Sequence, residues 1–314
     1  MTAPATRRPS KHYKAFQFKL QPTPEQETLL WQFCGAARWV YNYMLAQRQH
    51  CYRTTGTSPT THDQIKQLPP LKQQPETAWL ADMPFQVLQD AVLNLDAAFT
   101  RFFAKQSGYP KFKKKHHAEQ AFTYPQRVKV EGNRACLPKL GWVKFRRGRE
   151  GTKRYRVLGE TPRRVTIRHK ASGWYISFCY EWTLPTPKPV VLTPENSIGL
   201  DLGSIDLVTT SRGMKVANPR AYRRAEKQLQ RAQRSLSRRK RGSKRYSKQK
   251  QQVARLHEKV ANTRKDRLHK LSFHLICENQ AVMVEDLHVK GIARWMGKSA
   301  HDAGWTELVR QLQY

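Results

Sequence analysis

The sequence predicts an α+β, multidomain chain, and three observations predict it. Apolar residues recur at helical spacing through much of the first hundred positions. Short segments with a period of two fill residues 121–184. From residue 197, three strand-like runs lead into a long basic helical region and then one more apolar strand. A chain of 314 residues is long enough to bury a core in each of two or three units.

The elements follow in order. Residues 12–20, HYKAFQFKL, alternate as a strand does. Thr23, Pro24 and Gln26 form a helix start: Thr23 caps, Pro24 suits the first helical position, and Gln26 closes a capping box. Leu30, Phe33, Ala37, Val40 and Met44 then hold one helical face. TTGTSPTTHDQ, residues 54–64, reads as a loop. A second helix starts near Pro84 and carries Leu88, Val92, Leu95, Phe99 and Phe102. Both stripes read as helix-to-helix core. A DNA-binding helix-turn-helix near residues 24–46 is the alternative, and the apolar face of the first helix favours the structural account.

Residues 107–117, SGYPKFKKKHH, interleave Tyr109 and Phe112 with Lys111, Lys113, Lys114 and Lys115. Rings among cations can stack on bases while lysines hold phosphates. They also suit a turn pinned into the core by its two rings beside a solvated lysine run, and both readings stay open. RVKVEG, WVKFRR, RRVTIRH and GWYISFCYEW then suit strands, with hairpin turns at Gly132–Asn133 and Ser172–Gly173. They predict a small β-barrel whose outward face is basic. LPTPKPVVLTP, residues 184–194, reads as a linker.

SIGLDLG, LVTTSRG and MKVANP predict a three-stranded meander with Gly213 in a turn. Residues 221–276 keep helical spacing, and RGSKRYS around 241–247 breaks them into a two-helix hairpin. Residues 223–250 hold thirteen Lys or Arg against one acid, Glu226. A face kept merely soluble mixes both signs, so this one is expected to bind phosphates. Its candidate contacts are Arg231, Arg234, Arg238, Arg239, Lys240, Arg241, Lys244 and Arg245, alongside Lys111, Lys113 and Lys114 upstream. AVMVEDL, residues 281–287, is a further buried strand ending in acids.

Charge bounds the partners. Fifty-eight Lys and Arg against 23 Asp and Glu give a net charge of +35. A chain this basic repels itself unless a polyanion supplies counter-charge. Nucleic acid is the first candidate; a membrane is disfavoured, because no apolar run approaches the ~20 residues needed to span one. MTAPATRRPSK lacks the apolar core of a secretory signal. Five scattered cysteines without a C-x-x-C pair argue against a disulfide framework and a zinc ribbon, and for a reducing cytoplasm.

Three strands, a helical crossover and a fourth strand make the opening of an RNase H-like fold. Its first and fourth strands lie side by side and parallel, so Asp201 and Glu285 would meet. A lone acid in a buried strand is costly, and two acids at one edge repel unless cations lie between them. Mg²⁺ or Mn²⁺ suits such oxygen ligands. Two ions about 4 Å apart can activate water and stabilise the leaving oxygen in phosphodiester cleavage. Gly203 would leave room for a nucleic-acid backbone. Asp206 and Asp286 read as turn caps. ATPases that share a D-x-G strand need further Gly-rich phosphate loops, which the sequence lacks.

Five segments in order carry a resemblance: CGAARWVYNYML (34–45), GYPKFKKK (108–115), IGLDLGSIDLVTTSRG (198–213), VMVEDLHVKGI (282–292) and DAGW (302–305). On these, the chain resembles the TnpB/OrfB family of bacterial and archaeal insertion sequences, long labelled transposases. The resemblance implies an RNA-guided DNA endonuclease with guide RNA and target DNA as partners, in a prokaryotic cytoplasm and associated with the nucleoid. It also implies a wedge domain from residues 1–21 and 121–190, a helical recognition lobe over 22–120, and a partial RuvC nuclease domain over 191–314. Asp201 matches the first catalytic acid of the family and Glu285 the second. The family continues past DAGW through a zinc ribbon to a third catalytic Asp, whereas this sequence ends at VRQLQY. The expectation is a C-terminally truncated copy with impaired cleavage and no structural zinc; Asp302 is not promoted to a ligand. Two alternatives stand beside it: a guide-directed DNA-binding protein that does not cut, and a generic basic RNA-binding protein. The sequence leaves the oligomeric state open.

Overall fold

The computed structural model describes residues 10–115, 120–146, 161–184, 191–218, 220–285 and 303–313. The chain divides into two compact units, Met1–Thr186 and Pro187–Tyr314. The turn cap at Asp286, the acid Asp302 and most of the predicted linker lie outside the described residues.

The first unit opens with β1 (Ser10–Gln21) and α1 (Pro24–Thr55). The Thr23 hydroxyl accepts from the Gln26 backbone at 3.3 Å, and the Gln26 side chain accepts from the Thr23 backbone at 3.1 Å. This is the capping box read from sequence. From there the helix runs 32 residues without a turn and ends at Gly56, whose φ of 69° suits a residue without a Cβ. One continuous helix excludes a helix-turn-helix at 24–46. Its buried face is Leu30, Phe33, Ala36, Val40, Met44 and Leu45. The predicted loop ends early, because Thr60 and Asp63 form a second capping box that starts α2 (Thr61–Lys66). The short α3 (Leu68–Leu71) and a 3₁₀ turn (Pro75–Asp82) lead to α4 (Phe85–Phe103).

Strands β2 (Ala121–Tyr124), β3 (Lys129–Glu131), β4 (Arg134–Leu137), β5 (Gly141–Arg146), β6 (Arg164–Lys170) and β7 (Gly173–Leu184) complete this unit. They join β1 in a seven-stranded sheet of order β2-β6-β7-β1-β5-β4-β3. β1 pairs twice: Ser10–Lys19 lie along β7, and Lys19–Gln21 along β5. Among the described residues no ladder joins β2 to β3, so the sheet is open where a barrel was expected. Helices and sheet share one core, with Phe18, Phe145 and Phe178 meeting Leu30, Phe33 and Leu88 in the same buried cluster.

The second unit contains β8 (Ser197–Asp201), β9 (Asp206–Thr210), β10 (Lys215–Ala217), α5 (Ala221–Ser237), α6 (Lys244–Glu278), β11 (Ala281–Val284) and α7 (Trp305–Leu312). The sheet order is β10-β9-β8-β11. The first three strands form an antiparallel meander, and β11 returns parallel to β8. A parallel return needs a long crossover, which α5 and α6 supply. Gly242, with φ 85°, breaks them apart, and the Ser243 hydroxyl caps α6 by accepting from the Tyr246 backbone at 3.0 Å. Gln249 of α6 donates to the Ala232 carbonyl at 3.1 Å inside the hairpin. Ile198 and Leu200 of β8, Leu268 and Leu275 of α6, and Trp305 and Leu308 of α7 form the core of this unit.

Candidate active site and nucleic-acid interface

Register brings the two acids together. Ala281, Val282, Met283 and Val284 face Ser197, Ile198, Gly199 and Leu200 in turn. One step further along both strands stand Glu285 and Asp201. Neighbouring strands lie about 4.8 Å apart, and in-register residues on parallel strands project to the same side. Both acids line one open cleft with Gly199, Thr209, Ser211 and Met283. Both are exposed, which corrects the expectation of a buried Asp201. The alternation of β8 explains it: Ile198 and Leu200 take the core side, and Asp201 takes the opposite, exposed side. Solvent meets the carboxylate, so its position carries no burial cost. Two hard oxygen donors at the ends of adjacent strands, lining one cleft, suit a divalent cation such as Mg²⁺ or Mn²⁺. Among the described residues no third His, Cys, Asp or Glu joins them.

The loop after Asp201 is held from inside the unit. A Cβ on Gly203 would lie 2.6 Å from the backbone carbonyl oxygen of Asp206. The glycine is therefore required by its own turn, and no clearance for a nucleic-acid backbone need be invoked. Asp206 itself opens β9. The Trp305 indole N–H donates to the Gly203 carbonyl at 3.3 Å, with its ring buried in the core. Gly304, at φ 72°, starts α7; a side chain there would meet Arg264 Cδ at 3.1 Å and Leu268 Cδ1 at 3.2 Å. Ala303, Gly304 and Trp305 of DAGW thus pack beneath the loop that follows Asp201. Sequence reasoning quoted this motif without giving it a role; its glycine just ahead of an apolar helical stripe was the available signal.

The basic hairpin leaves from the same edge. Asn218, just past β10, donates its side-chain amide to the Ser204 carbonyl at 3.1 Å and its backbone N–H to the Ile205 carbonyl at 3.3 Å. At 1.5 Å per residue, the 17 residues of α5 carry the chain about 25 Å away before it turns back. Arg231, Arg234, Arg238, Lys240, Arg241, Lys244 and Arg245 are exposed along this arm and its tip. Arg239 differs: it is half-buried and donates to the Ser235 hydroxyl at 3.4 Å.

Upstream, the structure separates the three candidate lysines. Lys111 and Lys114 are exposed. Lys113 is exposed as a residue, but its ammonium sits 3.9 Å from the centroid of the Tyr41 ring. Burial lowers the pKa of that ammonium, and the nearby Asp90 carboxylate opposes the shift. Lys113 therefore serves the fold, a role its place in a lysine run could not reveal.

A basic arm thus starts at the end of the sheet that carries the two acids. The chain belongs to the TnpB/OrfB family. The family model described as "Probable transposase" matches residues 177–296, and one described as "Helix-turn-helix domain" matches residues 12–57. Over the latter stretch the structure has β1 followed by the single helix α1. The chain is 33% identical over 323 residues to "Putative RNA-guided DNA endonuclease InsQ" of Escherichia coli (strain K12), spanning 97% of this chain and 78% of that protein. It is 34% identical over 306 residues to "Putative RNA-guided DNA endonuclease" of Streptomyces pristinaespiralis, spanning 96% and 74%. A chain in "Cryo-EM structure of CRISPR-Cas12f Ternary Complex" aligns at TM-score 0.38 and 12% identity, covering 93% of this chain and 70% of that one; at that score the superposition carries no weight.

Proposed function

We propose that this protein is an RNA-guided, divalent-metal-dependent DNA endonuclease of an insertion sequence, cutting with an RNase H-like unit of the RuvC kind. The observation that carries it is the parallel register of β8 and β11, which brings Asp201 and Glu285, both exposed, to the same end of adjacent strands. The strand order and the long helical crossover support the same reading. Asp201 and Glu285 would hold Mg²⁺ or Mn²⁺, which when bound supplies Lewis-acid stabilisation of charge on the scissile phosphate and its attacking water. The rest falls to the chain. Trp305 and Gly203 fix the loop beside Asp201, and the exposed arginines of the arm hold flanking phosphates. Base pairing with a guide RNA reads the sequence, so the protein needs backbone contacts more than base contacts.

One observation favours a second reading, guide-directed DNA binding without cutting: only two acids meet among the described residues. A single assay separates the two. Full chain carrying its co-purifying RNA is incubated with matched DNA and Mg²⁺ or Mn²⁺. D201N and E285Q are each expected to lower cleavage a hundredfold or more, about 3 kcal/mol of barrier, while RNA and DNA binding persist. Cleavage by D201N at the parent rate would remove the nuclease reading. DNA binding without cleavage by the unaltered chain would establish the second.

A further inference from the structure

The segment 108–115, in the first unit, is held at both of its ends. The Tyr109 ring packs edge-on against Phe99 at 5.6 Å and Phe102 at 5.3 Å, and Pro110 is buried. Three residues later the backbone is clamped again. The Lys113 N–H donates to Asn42 Oδ1 at 2.8 Å, and its carbonyl accepts from Asn42 Nδ2 at 3.0 Å. The Lys113 ammonium rests on Tyr41. Between these two anchors stand only Lys111 and Phe112, both exposed, and Phe112 keeps 48% of its surface in solvent. A loose segment would fold a phenyl ring onto the nearest apolar surface. Here the fixed neighbours hold it out.

We propose that Phe112 is a stacking platform for an unpaired base of single-stranded nucleic acid, with Lys111 and Lys114 on the flanking phosphates and Asn42 as the positioning residue. Charge selects this occupant. Lys111, Lys114 and Lys115, within three positions of Phe112 along the chain, are all exposed, and no acid lies in residues 108–115. An apolar protein partner would have to desolvate those ammoniums, whereas a nucleotide chain offers each a phosphate and the ring a π-face. The inference goes beyond the nuclease reading, since it needs binding and not cutting.

The test uses the full D201N chain, so that cleavage plays no part, at salt high enough to suppress diffuse attraction. The probes are oligothymidine and an abasic oligonucleotide of equal length. F112A is expected to weaken oligothymidine binding about five- to a hundredfold and to leave abasic binding nearly unchanged. F112W should keep affinity, and its added emission should be quenched by oligothymidine alone. N42A, which retains the ring but releases the backbone, should reproduce the F112A loss. Equal affinity of F112A and parent for oligothymidine would overturn the proposal. So would an equal loss on both probes, or F112W emission that ignores the bases.

Discussion

At Gly203 a methyl group would lie 2.6 Å from a carbonyl oxygen, closer than packed atoms tolerate, and the obstacle is backbone that cannot swing aside. At Gly199, two residues before Asp201, the same methyl would sit 3.5 Å from Ser211 Cβ, an ordinary contact. The two glycines of GLDLG are thus unequal. G203A is expected to cost about 1–3 kcal/mol and displace the loop beside Asp201. G199A is expected to cost about 1 kcal/mol at most. Thermal melts of both variants check this, and equal melting shifts would refute the backbone argument. Much at this scale was legible in the sequence. An acid bracketed by apolar residues and a second acid ending a later strand were enough to pair Asp201 with Glu285. Their exposure was not legible, because alternation says which residues share a face and not which face the rest of the chain covers. Lys113 and Lys114 are adjacent and chemically identical, and Asn42 and Tyr41, some seventy positions earlier, with Asp90, tell them apart.

The elements were read most reliably where local chemistry decides them. The capping box at Thr23 and the turn at Gly242 depend on residues within four positions, and both stand as expected. The open seven-stranded sheet was beyond that reach. β1 pairs with partners more than a hundred residues later, and its double engagement with β5 and β7 leaves no local trace. The first turn of α7 offers a test at this scale. Glu307 accepts from Arg310 at 2.7 and 2.9 Å and from Gln311 at 2.9 Å. The Arg310 hydrogen bonds, with help from Gln311, hold its carboxyl down to about 2. A carboxylate depressed in the folded state stabilises above its ordinary pKa and loses that contribution as pH falls through the folded value. E307Q should therefore lower the melting temperature near neutral pH, and the difference should shrink between about pH 4.5 and about pH 2. Parallel melting curves across that window would show that the depressed pKa does not stabilise α7.

For the molecule as a whole, a net charge of +35 makes attraction to nucleic acid certain and uninformative, since any patch could supply it. Geometry makes the arm particular. It starts beside Ser204 and Ile205, at the end of the sheet where β8 delivers Asp201, and extends about 25 Å with cations exposed along its length. A rod of that kind grips backbone, because cations spaced along a helix meet successive phosphates and none need reach a base edge. Each phosphate neutralised on duplex DNA adds about 0.9 to the slope of log affinity against log salt. Replacing Arg231, Arg234, Arg238, Arg241 and Arg245 together by Ala should flatten that slope by up to about 4.5, and should weaken binding equally across unrelated sequences. Titrations of full-length parent and variant on two duplexes of different sequence, at several salt concentrations, give both numbers. An unchanged slope would place the phosphate contacts elsewhere on this basic surface. A loss confined to one sequence would mean that the arm reads bases, and the separation between a guide that chooses the site and a protein that merely holds it would fail.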